Sequence, residues 1–135
     1  MTTTQSTIIS VGIFFLFIIL SGFWVSRSGK PYSTFIFTVH KLIGLGAGIF
    51  LIRTVYITHQ AMPLSGIQWT AIAITVLLFV FTVAAGGLLS VLAEGRLQNL
   101  GTSMQKAIEL AHKISPYLIV LATMMTLYIL LFRYL

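Results

Sequence analysis

The segment Leu110-Ala111-His112-Lys113-Ile114-Ser115-Pro116-Tyr117-Leu118 opens the last long apolar stretch of the chain and sets an imidazole inside it. A near copy stands earlier, where Val39-His40-Lys41-Leu42-Ile43-Gly44 opens the second apolar stretch. The two His-Lys pairs are followed at the same interval by Thr54-Val55-Tyr56-Ile57 and Thr126-Leu127-Tyr128-Ile129, so the pattern recurs at an offset of 72 positions. An ionisable side chain inside a membrane span is costly and marks a functional position by default, together with its partner. The expected partners are His40 and His112 themselves.

Composition sets the frame for that reading. The chain of 135 residues is 58% hydrophobic and 7% charged, with a mean hydropathy of +1.03. These values lie outside the soluble globular range and identify an integral membrane protein. Four apolar segments, Ile8 to Val25, Thr34 to Ile57, Trp69 to Leu92 and Leu110 to Phe132, each approach the ~20 residues needed to cross ~30 Å of hydrocarbon. The expected fold is therefore all-α, an up-down-up-down four-helix bundle in the lipid bilayer, with residues 1–135 forming a single four-span domain. No small-residue cleavage site follows the first segment, so it is expected to be a retained span. The absence of cysteine excludes thioether-linked haem, iron–sulfur ligation and disulfides.

The net charge of +6 is spread over span ends and connections, which argues against nucleic acid as a partner. Its placement reads as topology. Arg27, Lys30, Lys41, Arg96, Lys106 and Lys113 fall in or beside the first and third connections, against Arg53 and Arg133 toward the other side. The positive-inside rule then puts those two connections in the cytoplasm and both termini outside, in a multi-pass protein of the cell (inner) membrane.

Span one carries no ionisable residue and reads as wall, with Trp24 as an interfacial anchor. Ser26 to Pro31 reads as a turn, with Pro31 suited to the first helical position of span two. On that helix His40, Gly44, Ala47, Gly48 and Leu51 share one face. Gly44 and Gly48 form a G-x-x-x-G pair that serves either close helix contact or clearance for a flat cofactor. Arg53 reads as an interfacial residue that snorkels toward the outer surface, and His59 in the second connection is left without a role. Trp69 is a second anchor, and Gly86-Gly87 marks close packing late in span three. Thr102 or Ser103 is expected to cap the last helix, which enters the bilayer through an amphipathic lead-in over 104–110. Pro116 cannot donate to the carbonyl of His112 and is expected to kink the helix there.

Spans two and four run in the same direction, and their histidines sit at matching depth. If these helices are diagonal in the bundle, the two imidazoles face one another across it, the way bundles build cofactor sites. Two imidazoles alone suit few metals, since zinc takes further ligands that the spans lack. A porphyrin brings four nitrogens, so two axial imidazoles complete a six-coordinate iron in an apolar cavity. The expected cofactor is one non-covalent haem b, with His40 and His112 as iron ligands and Gly44 beside them. Lys41 and Lys113 read either as partners of its propionates or as anchors of the helix ends. The shared marks suggest two helix-pair repeats, although spans one and three show little of the pattern.

His40-Lys41-x-x-Gly44-Leu45 early in a span, with Arg53 late in the same span of a four-helix membrane bundle, resembles the bacterial cytochrome b561 class. That resemblance implies haem-b electron transfer with a quinone pool or a redox partner protein, and a quinone-linked oxidoreductase activity by extension. Members commonly carry a second haem on further histidines. Spans one and three here have none, so the resemblance implies a reduced, single-haem variant. Two other readings stay open: a cofactor-free scaffold subunit of a larger membrane complex, with the histidines bonded across helices, and a small proton-conducting bundle. A homo-oligomer fits each of them.

Overall fold

Without water in the hydrocarbon region, a spanning segment must satisfy every backbone polar group internally, and the apolar stretches do so as helices. The computed structural model describes residues 3–29, 33–96 and 99–132. Its elements are α1 (Thr3–Arg27), α2 (Thr34–Ala61), α3 (Gly66–Ala93) and α4 (Thr102–Phe132). All four are long and apolar enough to cross a membrane, and the chain is a multi-pass four-helix bundle. Lys30, Pro31, Gln98 and Arg133, on which part of the turn and charge reading rests, lie outside the described residues.

The helix ends follow local chemistry. Gly29 and Gly95 close the first and third connections with a φ of 76° each, a left-handed conformation that glycine adopts without strain. At the start of α3 the Ser65 N–H donates to Gln68 Oε1 at 2.9 Å, half of the Ser-x-x-Gln capping pattern. The expected caps of α4 are displaced by one position. Thr102 and Ser103 lie inside its first turn, and the Gly101 carbonyl accepts from Met104 and Gln105 at 3.0 and 3.2 Å, which makes Gly101 the cap. The helix then runs unbroken through Pro116, so the amphipathic lead-in and the span are one element.

Each hairpin packs within itself first. α1 lies along α2 and α3 along α4, α1 also meets α4, and α2 barely touches α3. Among the described residues the backbones of α2 and α4, and those of α1 and α3, stay apart, and these pairs meet only through side chains in the bundle interior. The order around the bundle is therefore α1, α2, α3, α4, and the two histidine-bearing helices stand on a diagonal.

Burial exposes the repeat more fully than the sequence marks do. The buried face of α2 is Ala47, Leu51, Thr54 and Thr58, and that of α4 includes Ile119, Thr123, Thr126 and Leu130, the same positions shifted by 72. α1 and α3 match as well, at an offset of 64. Ile8, Val11 and Ser21 are buried on α1, as are Ile72, Thr75 and Ala85 on α3. Phe15 and Phe79, equivalent under that offset, meet edge to face at 5.8 Å.

The interior is not uniform along the membrane normal. Toward the α2–α3 connection it is filled by Ile8, Leu64, Ile72 and Leu130, then by Val11, Phe15, Leu51 and Ile119. In this half Thr126 Oγ1 donates to the Ala71 carbonyl at 3.1 Å and accepts from Thr75 Oγ1 at 2.8 Å, which pins α4 to α3. An apolar groove of about 440 Å³, walled in part by Leu51, Val55, Ile72 and Val76, separates α2 from α3 there. Toward the other two connections the buried side chains are small: Ser21, Val25, Ala85, Ser90 and Ser115. The histidines occupy that half.

Candidate functional site

A histidine early in α2 can reach the bundle interior only where its neighbour makes room, and α1 supplies the room with Ser21 and Gly22. A Cβ built on Gly22 would stand 3.1 Å from His40 Cε1. α3 does the same for His112 with Ala85 and Gly86, where a Cβ on Gly86 would stand 2.8 Å from His112 Cε1. Each imidazole is thus lodged edge-on in a glycine notch of the preceding helix, and the two notches are equivalent under the 64-position offset of α1 and α3. Both rings are half-buried.

The hydrogen bonding of the two rings differs. Ser21 Oγ donates to the Ile18 carbonyl at 2.9 Å and lies 2.9 Å from His40 Nδ1. A carbonyl can only accept, so the single hydroxyl proton is committed to Ile18 and the Ser21 oxygen is left to accept from Nδ1–H. His40 Nε2 then carries the lone pair. Opposite His112 the equivalent residue is Ala85, which has no hydroxyl, and His112 Nδ1 is buried without a hydrogen-bond partner. Ser115, one turn further along α4, also buries its Oγ without a partner. Such orphaned polar atoms cost about 1–3 kcal/mol each.

The other expected site residues separate. Nothing lies within 4 Å of a Cβ placed on Gly44, one turn beyond His40, whereas one on Gly48 would stand 3.0 Å from Phe79. The first glycine of the pair gives clearance and the second gives close helix contact. Gly86 and Gly87 divide likewise, since a Cβ on Gly87 meets nothing within 4 Å. Lys41 Nζ donates to Ser90 Oγ of α3 at 3.1 Å and lies 4.3 Å from the centre of the Phe37 ring. Lys113 pairs with Glu109 at 3.0 Å on an exposed helix face. Arg53 is exposed, as a snorkelling residue would be.

Two residues acquire places that the sequence did not assign. His59 Nδ1 accepts from the Leu64 N–H at 3.4 Å, and its ring packs 5.4 Å from that of Trp69, so it closes the α2–α3 connection. Ser21, on a span read as wall, is the hydrogen-bond partner of His40. A search for hydroxyls on the small residues of α1 would have found it as a candidate. No family model, curated protein or solved structure matches the chain.

Proposed function

We propose that this protein is a membrane-bound b-type cytochrome, with one haem held between His40 and His112, that passes single electrons to and from a quinone pool or a redox partner subunit. The observation that carries the reading is the pairing of equivalent histidines on diagonal helices, in the half of the bundle where no large apolar side chain is buried. The donor set fits: no hydrogen bond engages Nε2 of either ring among the described residues, and for His40 the Ser21 contact assigns the proton to Nδ1. Nothing stands within 4 Å of a Cβ placed on Gly44, one turn from His40 on the same helix. When bound between His40 and His112, such a group would supply reversible one-electron chemistry.

The chain's own part is to hold two neutral imidazoles in place and to exclude water. The glycine notches fix where each ring sits, and the Phe15–Phe79 layer closes the site toward the opposite membrane face. Lys41 and Lys113 stand next to the ligands at the end that the positive-inside rule assigns to the cytoplasm, where their ammonium groups can exchange Ser90 and Glu109 for propionates. A titration of the purified protein with haemin tests the reading. The expected end point is one haem per chain with a low-spin spectrum, lost in both His40→Ala and His112→Ala. Weak, non-saturable uptake that is indifferent to both substitutions overturns it.

The Ser21–His40 bond also favours a second reading, in which the histidines are interhelical hydrogen-bond partners of a cofactor-free scaffold subunit. The same titration separates the two, because a scaffold protein binds no haem while His40→Ala still loosens α1 from α2.

A further inference from the structure

The two hairpins are equivalent in fold and in the placement of their histidines, yet one ring has a hydroxyl beside Nδ1 and the other does not. We infer that Ser21 is a positioning residue: by relaying the Ile18 carbonyl to His40 Nδ1 it fixes the tautomer that presents the Nε2 lone pair, and its replacement by Ala85 in the second hairpin makes the two histidines inequivalent ligands. The inference rests on the haem reading for its redox consequence, but the tautomer follows from the protein alone.

The geometry leaves little freedom. Ser21 is buried, its Oγ meets both the Ile18 carbonyl and His40 Nδ1 at 2.9 Å, and Gly22 beside it holds the ring edge. A metal-ligating imidazole gains basicity when its second ring nitrogen donates a hydrogen bond, and losing that outer partner typically costs about 10–100-fold in metal affinity. His40 has this bond, and it passes through Ser21 to a main-chain carbonyl that cannot donate in return. His112 lacks it, since its Nδ1 is buried and unpartnered. The two histidines would then be unequal ligands, with His40 the stronger donor. A stronger donor favours ferric iron, so Ser21 holds the potential lower than it would otherwise be.

The relay is tested first without cofactor, by long-range proton–nitrogen correlation spectra of haem-free protein labelled with ¹⁵N-histidine. His40 is expected to show the pattern of a single Nδ1–H tautomer. In Ser21→Ala that pattern should give way to an averaged one while the His112 signals stay in place, and Ser21→Thr should restore it. An unchanged His40 tautomer in Ser21→Ala overturns the inference. In haem-loaded protein, Ser21→Ala should raise the midpoint potential and speed haem loss by about 10-fold, whereas Ala85→Ser, which offers His112 the missing hydroxyl, should lower the potential. Equal potentials in wild type, Ser21→Ala and Ala85→Ser refute the unequal ligand field. A wild-type protein that takes up no haem defeats the cytochrome proposal and leaves the tautomer measurement to decide the relay by itself.

Discussion

Adding one methyl at Gly86 tests the notch that holds His112. The new carbon would stand 2.8 Å from Cε1, 3.3 Å from Nδ1 and 3.6 Å from Nε2. Carbon atoms rest at about 3.5 Å or more, so the ring must withdraw by roughly 0.7 Å or α3 and α4 must part. Overpacking of this kind costs about 1–3 kcal/mol, and the lower part of that range applies because a side chain rather than backbone can yield. Gly87→Ala is the internal control. Its methyl meets nothing within 4 Å, and it sits on the same helix at the adjacent position. Both substitutions carry the same helix-propensity gain of up to about 1 kcal/mol, which cancels in the comparison. Unfolding of the two variants in mixed micelles, followed by circular dichroism, should therefore show Gly86→Ala less stable than Gly87→Ala by about 1–2 kcal/mol. The His112 ring resonances should move only in Gly86→Ala. Equal stabilities with unmoved His112 resonances would refute the notch.

The repeated threonines give a second contrast. Thr126→Val removes the bonds to Thr75 and Ala71 and should cost about 1.2 kcal/mol, at a mean of about 0.6 kcal/mol for each interhelical bond in membranes. Thr54→Val loses a bond only to Phe50 of its own helix and should be nearly silent in the same unfolding assay. Lys113→Gln breaks an exposed pair with Glu109 and should change stability by no more than about 0.5 kcal/mol. Any larger loss would mean that Lys113 does more than pair along its helix. For topology, cysteines at Ser28 and Gln60 should respond oppositely to an impermeant maleimide on whole cells, with position 60 labelled and position 28 protected. The reverse pattern would invert the proposed orientation.

The fold was legible because membrane physics leaves few options: four stretches of the right length and hydropathy have to be helices, and three connections order them. The histidine pair was legible because α2 and α4 keep a single offset through His40/His112, Thr54/Thr126 and Tyr56/Tyr128. The companion repeat in α1 and α3 was hidden because its offset is 64, not 72. Connections and interfacial lead-ins can take extra residues without disturbing a packed face, so no one offset aligns both helix pairs. The role of Ser21 could not be singled out from the sequence for a related reason. A hydroxyl in a transmembrane helix can bond its own backbone, and only the approach of His40 to Gly22 gives it a second partner. The lost caps at Thr102 and Ser103 are a matter of one residue, the ordinary uncertainty of a helix start.

The most direct measurement is the reduced-minus-oxidised visible spectrum of the detergent-purified protein, recorded beside His40→Ala and His112→Ala. The expected result is a sharp low-spin b-type spectrum in the wild type that disappears in each variant, because either imidazole alone leaves an axial position empty. A colourless protein that remains so after exposure to haemin, or a spectrum that survives both substitutions, contradicts the shared haem.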